Sequence, residues 1–429
     1  EMTSSLVGSE MCIRDRVSIM LSQHIGAPAQ CVVNKGDHVK VGTLLAQANG
    51  FVSANIHSPV SGTVAKIENV TDSNGYTKAA VIIDVEGDEW EESIDRSEKL
   101  VKGCPLTAKE IVDIIGEKGI VGLGGATFPS KVKLCPPPGN KAEILIINAV
   151  ECEPYLTNDH ALMLAKPEQI VEGVAILMKA INVSKAVIGI ENNKPDAIAT
   201  LSRVASGYLG IEVQPLKVRY PQGGEKQLID AIIRRQVASG ALPISTGAVV
   251  QNVATAYAVY EAVQKNKPLV ERVMTVTGKS LKNPGNFLVR LGTPVANLIE
   301  AAGGLPEDSG KVILGGPMMG RAAVSLSSPV GKGTSGVLII PESEATRKKE
   351  EPCIRCAKCV SACPMGLEPY LLAKVSSLNM LDRAEKENIM DCIECGCCTF
   401  TCPANRPLLD YVRIGKSQVG AIIRSRAKK

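Results

Sequence analysis

The sequence predicts a multidomain protein that combines α/β and α+β domains. Short apolar runs separated by glycine turns fill the first hundred residues and recur after residue 267, as is typical of small β units. Between these regions, apolar runs of strand length alternate with helical patterns, which favours a parallel sheet. Near the end, one spaced cysteine pattern occurs twice and indicates a domain built around metal.

Composition limits the function classes that need to be considered. The chain has 429 residues with 45% hydrophobic content, enough for about three domains with separate cores. A net charge of +4 and an aromatic content of 3% argue against nucleic-acid binding. The cysteines outside the doubled pattern follow no pairing pattern, which fits a reducing compartment. No apolar run reaches the length of a membrane-spanning helix.

Residues 1–16 do not lead into the pattern that follows and lack the apolar core of a signal peptide. We therefore interpret them as a non-native leader and exclude them from fold reasoning.

Residues 17–98 predict a small all-β domain. Its runs and turns resemble a biotinyl/lipoyl-type barrel-sandwich domain, but the stretch 51–57 lacks the lysine that carries the cofactor in true carriers. We interpret the domain as a docking module. Three histidines here lack the spacing of metal ligands, and the polar stretch near 72–104 around Trp90 predicts a charged linker.

Residues 99–266 predict a Rossmann-like α/β domain. A capping box at Thr107 and Glu110 starts a helix that leads into a glycine-rich loop at 116–125. Apolar runs at 143–148, 185–190 and 211–218 predict parallel strands, with helices after Pro167 and Pro195. The stretch 250–255 is expected to be helical. Polar side chains that follow such strands mark the edge where open α/β sheets bind ligands.

Residues 267–341 predict a small α+β unit with four short strands and one helix, which resembles the soluble-ligand-binding β-grasp domain. Its Gly-Gly-Pro-Met-Met-Gly stretch at 315–320 predicts a structural turn. A charged connector then leads into the cysteine-rich domain at 342–412, and a basic, helix-prone tail follows at 413–429.

The doubled cysteine pattern reads C-x2-C-x2-C-x3-C-P at 353–364 and again at 392–403. Three close thiolates can wrap one face of an iron–sulfur cube, and two copies predict two [4Fe-4S] clusters. Two zinc ribbons or a disulfide framework are the alternatives. In two-cluster ferredoxins the fourth cysteine of each run ligates the other cluster, and Cys397 is then a spare thiol. The expected ligand sets are Cys353, Cys356, Cys359 and Cys402 for one cube, and Cys363, Cys392, Cys395 and Cys398 for the other.

Four phrases occur in order at 124–130, 148–154, 223–228 and 251–255. They read Gly-Gly-Ala-Thr-Phe-Pro-Ser, Asn-Ala-Val-Glu-Cys-Glu-Pro, Gly-Gly-Glu-Lys-Gln-Leu and Gln-Asn-Val-Ala-Thr, and together they resemble the flavin-and-NADH-binding subunit of respiratory complex I. The resemblance implies an FMN site and assigns residues to it by their match to the family's phrases. The cofactor-binding residues so implied are Gly122, Gly124, Gly125, Phe128, Lys133, Asn148, Glu151, Gln251 and Asn252.

The same resemblance implies two catalytic carboxylates that border the nicotinamide site, Glu153 and Glu225. Two positions depart from the family's pattern. Val150 stands where the family usually has an aspartate, and Gly224 stands where it has the first of two glutamates. These departures predict weaker or remodelled nicotinamide binding.

The order of domains over residues 17–412 resembles that of the RnfC family, whose members are the C subunits of Rnf-type electron transport complexes. The resemblance implies FMN, NAD(H) and two [4Fe-4S] clusters as cofactors. It also implies hydride exchange between NAD(H) and FMN, with single electrons passing to or from ferredoxin or the membrane subunits of an ion-translocating complex. We therefore expect a peripheral, NADH-linked oxidoreductase subunit at the cytoplasmic face of the inner membrane.

Two other functions remain compatible with the residues. The chain could be a soluble flavin and iron–sulfur reductase for another acceptor, such as a cobalamin enzyme, although related proteins of that kind place their cluster motifs differently. It could instead be a ferredoxin-type electron carrier whose α/β domain is degenerate. Hydride brings two electrons and a cube accepts one, so NADH-linked electron transfer through the clusters requires a flavin between them.

Overall fold

The structure is a computed structural model that describes residues 15–426 in two units. The first unit includes residues up to 234 and 243–342, and the second includes 235–242 and 343 onward. Of the predicted leader, residues 1–14 lie outside the described residues, whereas Arg16 begins the first strand. Residues 427–429 of the predicted basic tail also lie outside them.

The first unit opens with two small antiparallel sheets, as the predicted barrel-sandwich domain requires. The strands are β1 (Arg16–Met20), β2 (Gln30–Cys31), β3 (His38–Val39), β4 (Leu44–Gln47), β5 (Ile56–His57), β6 (Gly62–Thr71) and β7 (Thr77–Val85). One sheet has the order β1-β7-β6-β3 and the other β2-β4-β5. Alternating apolar residues such as Ile19, Val64 and Ile83 are buried in the core of this domain.

The charged linker that was expected near 72–104 is partly wrong, because β7 occupies 77–85. In the rest of that stretch, charged side chains contact Trp90. The Trp90 ring lies near the guanidinium groups of Arg96 and Arg290, at 4.7 and 4.6 Å from its centroid. Such cation–π contacts offset the loss of chain entropy in ordering the stretch.

A parallel sheet with flanking helices follows. Its elements are α1 (Ala108–Glu117), α2 (Ser130–Lys133), β8 (Ile144–Ala149), α3 (Asn158–Ala165), α4 (Pro167–Ala180), β9 (Ala186–Glu191), α5 (Pro195–Ala205), β10 (Ile211–Leu216), α6 (Glu225–Ile233), β11 (Ala248–Asn252) and α7 (Val253–Gln264). The strand order is β10-β9-β8-β11, and every pairing is parallel. The predicted parallel sheet and the capping box that starts α1 are confirmed.

The helix expected over 250–255 is wrong at its start. Residues up to Asn252 extend β11 along β8, and the helix begins at Val253. The run of apolar, β-branched residues before Gln251 suits a buried strand, and the Asn252 side chain caps the helix by accepting from the Ala254 and Thr255 amides. This strand makes β8 and β11 neighbours at the point where the order of the sheet reverses.

The last part of the first unit is a five-stranded mixed sheet with one helix, and it contains the predicted strands and helix. Its elements are β12 (Glu271–Gly278), β13 (Gly285–Arg290), α8 (Val295–Ala301), β14 (Ser309–Leu314), β15 (Arg321–Ala322) and β16 (Gly336–Pro341). The order is β13-β12-β16-β14-β15, with β12 and β16 parallel and the other pairs antiparallel.

One buried lysine joins the three parts of the first unit. Lys332, which precedes β16, is 1% exposed, and its ammonium donates to the carbonyls of Asn55 and Gly119 at 2.7 Å each. Burial lowers the pKa of Lys332 to about 7. The three parts therefore share one buried ammonium group, whose loss would leave the buried Gly119 carbonyl and the half-buried Asn55 carbonyl without this donor.

The second unit is helical. Its elements are α9 (Glu342–Ala345), which begins at the end of the first unit, then α10 (Lys358–Ser361), α11 (Pro369–Ser377), α12 (Leu381–Lys386), α13 (Cys397–Phe400) and α14 (Leu408–Arg426). The helices expected between the cysteine motifs are present, and the helix-prone tail forms part of α14. Gly415 lets α14 approach α11, since a Cβ there would lie 2.1 Å from the Ser376 hydroxyl. No helix within 15–426 is both long and apolar enough to cross a bilayer.

Candidate functional site

The carboxyl ends of β8 and β11 place two asparagines side by side, because Asn148 pairs with Asn252 in the sheet register. The glycine-rich loop crosses this edge. The Leu123 amide donates to the Thr255 hydroxyl at 2.9 Å, and a Cβ on Gly124 would lie 3.5 Å from the Cβ of Asn252. The first and fourth phrases of the sequence therefore meet at the switch point of the sheet.

The two asparagines hold the surrounding loops in place. Asn148 donates to the Gly223 carbonyl at 2.9 Å and accepts from the Val150 amide at 3.1 Å. Asn252 donates to Asp159 at 2.7 Å. These bonds connect the second phrase to the third, so all four phrases border one site.

Lys133 and Glu225 were assigned to cofactor binding and catalysis separately, and the structure places them in contact. The Lys133 ammonium donates to Glu225 Oε1 at 2.6 Å and to the Val250 carbonyl at 3.0 Å. Both side chains are about one-third exposed. The pair therefore holds a cation beside the glycine loop with its charge still accessible to a ligand.

The donors around the loop fit an anionic, planar cofactor such as FMN. Gly125 has a φ of +108°, and a Cβ built on it would meet no atom within 4 Å, so the backbone there faces open space. Gln251 is 2% exposed, and its Nε2 has no hydrogen-bond partner within the described part of the chain. Open glycine backbone, a lysine and an orphaned amide donor are the groups that bind phosphate and ring oxygens.

Glu151 is half-buried and lies beside the buried carboxylate of Asp159. Its two oxygens accept from the Asp159 and His160 amides at 2.9 and 3.2 Å, at the amino terminus of α3. Burial, followed by the negative charge of Asp159, raises the pKa of Glu151 to about 8. The contacts that the structure gives this side chain are therefore with the helix start and Asp159.

Glu153 contacts the 315–320 turn. Its carboxylate accepts from the Met318 and Met319 amides at 3.1 and 2.8 Å and from the Tyr220 hydroxyl at 3.3 Å. A Cβ on Gly316 would lie 2.1 Å from the carboxylate, so the close approach needs glycine. Burial raises the pKa of Glu153. Phe128 lies in the glycine loop, where its carbonyl accepts from the Gly122 amide at 2.9 Å.

Sequence reasoning missed three residues that shape the site: Asp159, Tyr220 and Thr255. Thr255 ends the fourth phrase, three residues after the helix cap, and its hydroxyl could have been assigned to the loop. Asp159 and Tyr220 carry no such local signal. Their partners, Asn252 and Glu153, lie far away in the sequence.

The motif cysteines of the second unit surround two cavities. The first, of about 680 Å³, is lined by Cys353, Cys356, Cys359 and Cys402. The second, of about 20 Å³, is lined by Cys363, Cys392, Cys395 and Cys398, together with Cys397. These are the same two groups of four that a crossed arrangement requires. The smaller cavity would have to widen to accept a cube, while the donor chemistry of both fits one.

Single-ion sites and cysteine cavities differ in how closely their donors lie together. Within residues 15–426, no three His, Cys, Asp or Glu side chains converge closely enough to hold one metal ion. Zinc sites need four donors at about 2.3 Å from a common centre.

Four family models match the chain in order. They are the RnfC barrel sandwich hybrid domain over 1–88, the Nuo51 FMN-binding domain over 115–261, the SLBB domain over 273–322 and the 4Fe-4S dicluster domain over 345–403. The matched families follow the order of domains that the residues predicted.

Curated relatives match nearly the whole chain. The C subunit of the proton-translocating ferredoxin:NAD(+) oxidoreductase complex of Clostridium ljungdahlii is 46% identical over 95% of this chain and 88% of its own. The C subunit of the Na(+)-translocating complex of Acetobacterium woodii is 43% identical over 94% and 91%. The C subunit of the ion-translocating oxidoreductase complex of Rhodobacter capsulatus is 39% identical over 94% and 78%.

A solved structure shares the fold. The crystal structure of an NAD+-reducing [NiFe]-hydrogenase in the H2-reduced state aligns with a TM-score of 0.51 over 71% of this chain and 62% of its own. At 20% identity, this likeness shows the fold alone.

We predict that replacing Glu151 changes how the free energy of unfolding depends on pH. A carboxyl whose pKa rises from 4.5 to about 8 on folding stabilises the fold below pH 4.5, and this contribution is lost as pH rises to about 8. Glu151→Gln should therefore match the parent near pH 5 and exceed its stability near pH 8 by about 1 kcal/mol or more. Thermal unfolding of flavin-free protein across this range measures the difference.

Glu212→Gln is the matched control, because Glu212 is an exposed carboxylate on the same sheet. Parallel pH curves for Glu151→Gln and the parent between pH 5 and 8.5 would contradict the prediction.

Proposed function

The chain belongs to the RnfC family of ion-translocating ferredoxin:NAD(+) oxidoreductase complexes, and we propose that its flavin site and two cysteine cavities make it the electron-input subunit of such a complex. Identities of 39–46% over 94–95% of the chain establish the membership and confirm the Rnf-type interpretation of the sequence. The observation that carries the proposal is the meeting of the glycine loop, Asn148, Asn252 and the Lys133–Glu225 pair at one edge of the sheet. A cobalamin-enzyme reductase or a plain electron carrier has no comparable support.

The subunit exchanges electrons between NAD(H) and ferredoxin or the partner subunits of the complex. Its cofactors are FMN and two [4Fe-4S] clusters, as the matching domain families indicate. Bound FMN would convert the electron pair of a hydride into single electrons, which the clusters can carry. The residues of this chain bind, orient and shield these groups.

Each part of the fold has a place in this function. The parallel sheet is a Rossmann-like FMN and NADH domain, the mixed sheet is a β-grasp domain, and the helical unit is a two-cluster ferredoxin-like domain. The strand order β10-β9-β8-β11 supports the first assignment, because ligands bind at the reversal point of such sheets. The barrel-sandwich domain, whose 51–57 stretch lacks the lysine of true carriers, serves as a docking module.

The glycine loop and Lys133 hold the FMN phosphate. The exposed backbone of Gly124 and Gly125 offers amide donors, and the Lys133 ammonium adds a positive charge that Glu225 orients at 2.6 Å. Gln251 supplies the orphaned amide donor. The cofactor-binding set is completed by residues that shape the loops around it: Gly122, Phe128, Asn148, Glu151 and Asn252.

Glu153 and Glu225 border the nicotinamide. Glu153 is fixed by two amides of the 315–320 turn, so the β-grasp domain sets its position. Val150 and Gly224 replace carboxylates that the related complex I protein has, and this loss weakens or remodels nicotinamide binding. The Lys133–Glu225 pair neutralises the remaining carboxylate of the third phrase.

The eight motif cysteines hold the cubes in the crossed arrangement, four around each cavity. The relatives are subunits of ion-translocating complexes, which supports a peripheral position at a membrane through partner subunits. We assign the protein to the cytoplasmic face of the inner membrane, where NADH is available.

Two neighbouring lysines on α2 test the FMN site. Lys133→Met should weaken FMN binding about tenfold, because a charge-assisted contact to phosphate is lost. Quenching of flavin fluorescence on titration with apoprotein gives the dissociation constant. Lys131→Met is the matched control, because Lys131 lies on the same helix and pairs with Asp113 instead. Equal weakening by both substitutions, or by neither, would argue against a flavin phosphate at Lys133.

Pairs of cysteine substitutions test the crossed ligation. Cys356→Ser and Cys402→Ser should perturb the same electron paramagnetic resonance signal of the reduced, anaerobically purified chain, and Cys363→Ser and Cys395→Ser should perturb the other. Cys397→Ser serves as the control that keeps both signals and about eight iron atoms per chain. A shared signal for Cys402 and Cys395 would show that each motif holds its own cube.

A further inference from the structure

The two cysteine cavities differ in the charge of their walls. The first is lined by three cationic side chains, Arg355, Lys374 and Arg406, and by no carboxylate among the described residues. The described lining of the second holds only cysteines, glycine, prolines and aliphatic or methionine side chains. All the cationic side chains that line either cavity therefore belong to the first one. Beside the second, the Lys416 ammonium donates to the Cys392 carbonyl at 2.6 Å and is paired with Glu394.

The cationic cavity is also the one that opens to solvent. Cys353 and Cys356 are exposed, whereas Cys395 of the second cavity is buried. Ile354 is 68% exposed beside these thiols, and Tyr370 is 45% exposed at the rim. The opening thus presents an apolar side chain and a phenol together with the cationic side chains of its lining.

Nearby acids offset only part of this charge. Glu350 pairs with Arg406 at 3.2 Å, and Glu368 accepts from the Tyr370 hydroxyl at 3.1 Å. Glu351 and Lys358 are exposed on the same segment and add one charge of each sign. Arg355 and Lys374 keep the lining of the opening positive.

We propose that this opening, defined by Ile354, Arg355, Tyr370 and Lys374, is the docking face for a protein partner whose own one-electron centre is ringed by acidic side chains. The inference rests on the proposed function, because it takes a cube to be held by Cys353, Cys356, Cys359 and Cys402. At each encounter one electron passes between the cube and the partner's centre, so that one is oxidised and the other reduced by one unit. No bond is formed or broken and no proton moves.

Two physical effects support this proposal: electrostatic attraction during encounter, and apolar contact once the partner is bound. Clustered cations raise the encounter rate of an acidic surface and lower that of a basic one, and salt screens both effects. The exposed Ile354 gives an apolar contact among the polar side chains of the opening, and protein interfaces usually combine an apolar core with a polar rim. The second cavity lacks both features, so it serves transfer within the unit.

The test uses two small one-electron oxidants of opposite charge on the reduced, cluster-loaded chain. The probes are anionic ferricyanide and cationic hexaammineruthenium(III), and stopped-flow absorbance follows oxidation of the clusters. The ferricyanide rate constant should fall as salt rises, and that of hexaammineruthenium should rise. In Arg355→Glu/Lys374→Glu the ferricyanide rate at low salt should drop about tenfold, and the signs of both salt dependences should reverse.

The control is Lys386→Glu/Arg424→Glu, which reverses two charges on α12 and α14 that line neither cavity. The proposal would be overturned if the parent and both variants had the same oxidation rates and salt dependences. It would also be overturned if the control variant changed these rates as much as Arg355→Glu/Lys374→Glu does. A third outcome would also overturn the proposal: Arg355→Glu/Lys374→Glu loses binding to phosphatidylserine vesicles while its oxidation rates stay unchanged. That result would assign the face to a membrane. The iron content and electron paramagnetic resonance signals of each variant show whether the clusters are present, so a failure of the docking proposal can be told apart from a failure of the proposed function.

Discussion

The pairing of Asn148 with Asn252 at the carboxyl ends of adjacent parallel strands is the constraint on which the proposed flavin site depends. The two residues are 104 positions apart, and only the insertion of β11 beside β8 makes them neighbours. Once they meet, the glycine loop can rest against Asn252 and the third phrase can bond to Asn148. The sheet register thus assembles a site from four separate stretches of chain.

Buried charge connects this site to the rest of the first unit. Lys332 joins the barrel-sandwich domain, the turn after α1 and the last sheet through two carbonyls. Glu153 connects the segment after β8 to the 315–320 turn by accepting hydrogen bonds from two amides of that turn. Each buried ion is costly to desolvate, and its hydrogen bonds offset that cost only when all the parts they connect are in place. The position of Glu153 therefore depends on a turn that lies outside the parallel sheet.

Much of the fold could be predicted from local pattern, and several of the features that were missed depend on contacts distant in sequence. Strands such as β9 and helices such as α4 follow directly from apolar periodicity, and the cysteine spacing, compared with two-cluster ferredoxins, was enough to divide the eight thiols into two groups. The strand at 248–252 was missed because its apolar run also suits a helix until pairing with β8 decides the matter. Asp159 and Tyr220 were missed because their roles come from partners distant in sequence. Long-range contacts leave no local signal.

The chain joins a hydride-accepting site to one-electron centres in a single polypeptide, and the flavin is the required link. The most direct test adds NADH anaerobically to the cluster-loaded chain, with and without one equivalent of FMN, and records cluster resonance signals after rapid freezing. Reduced-cluster signals should form only when FMN is present. Absence of reduction with FMN, or equal reduction without it, would contradict the link.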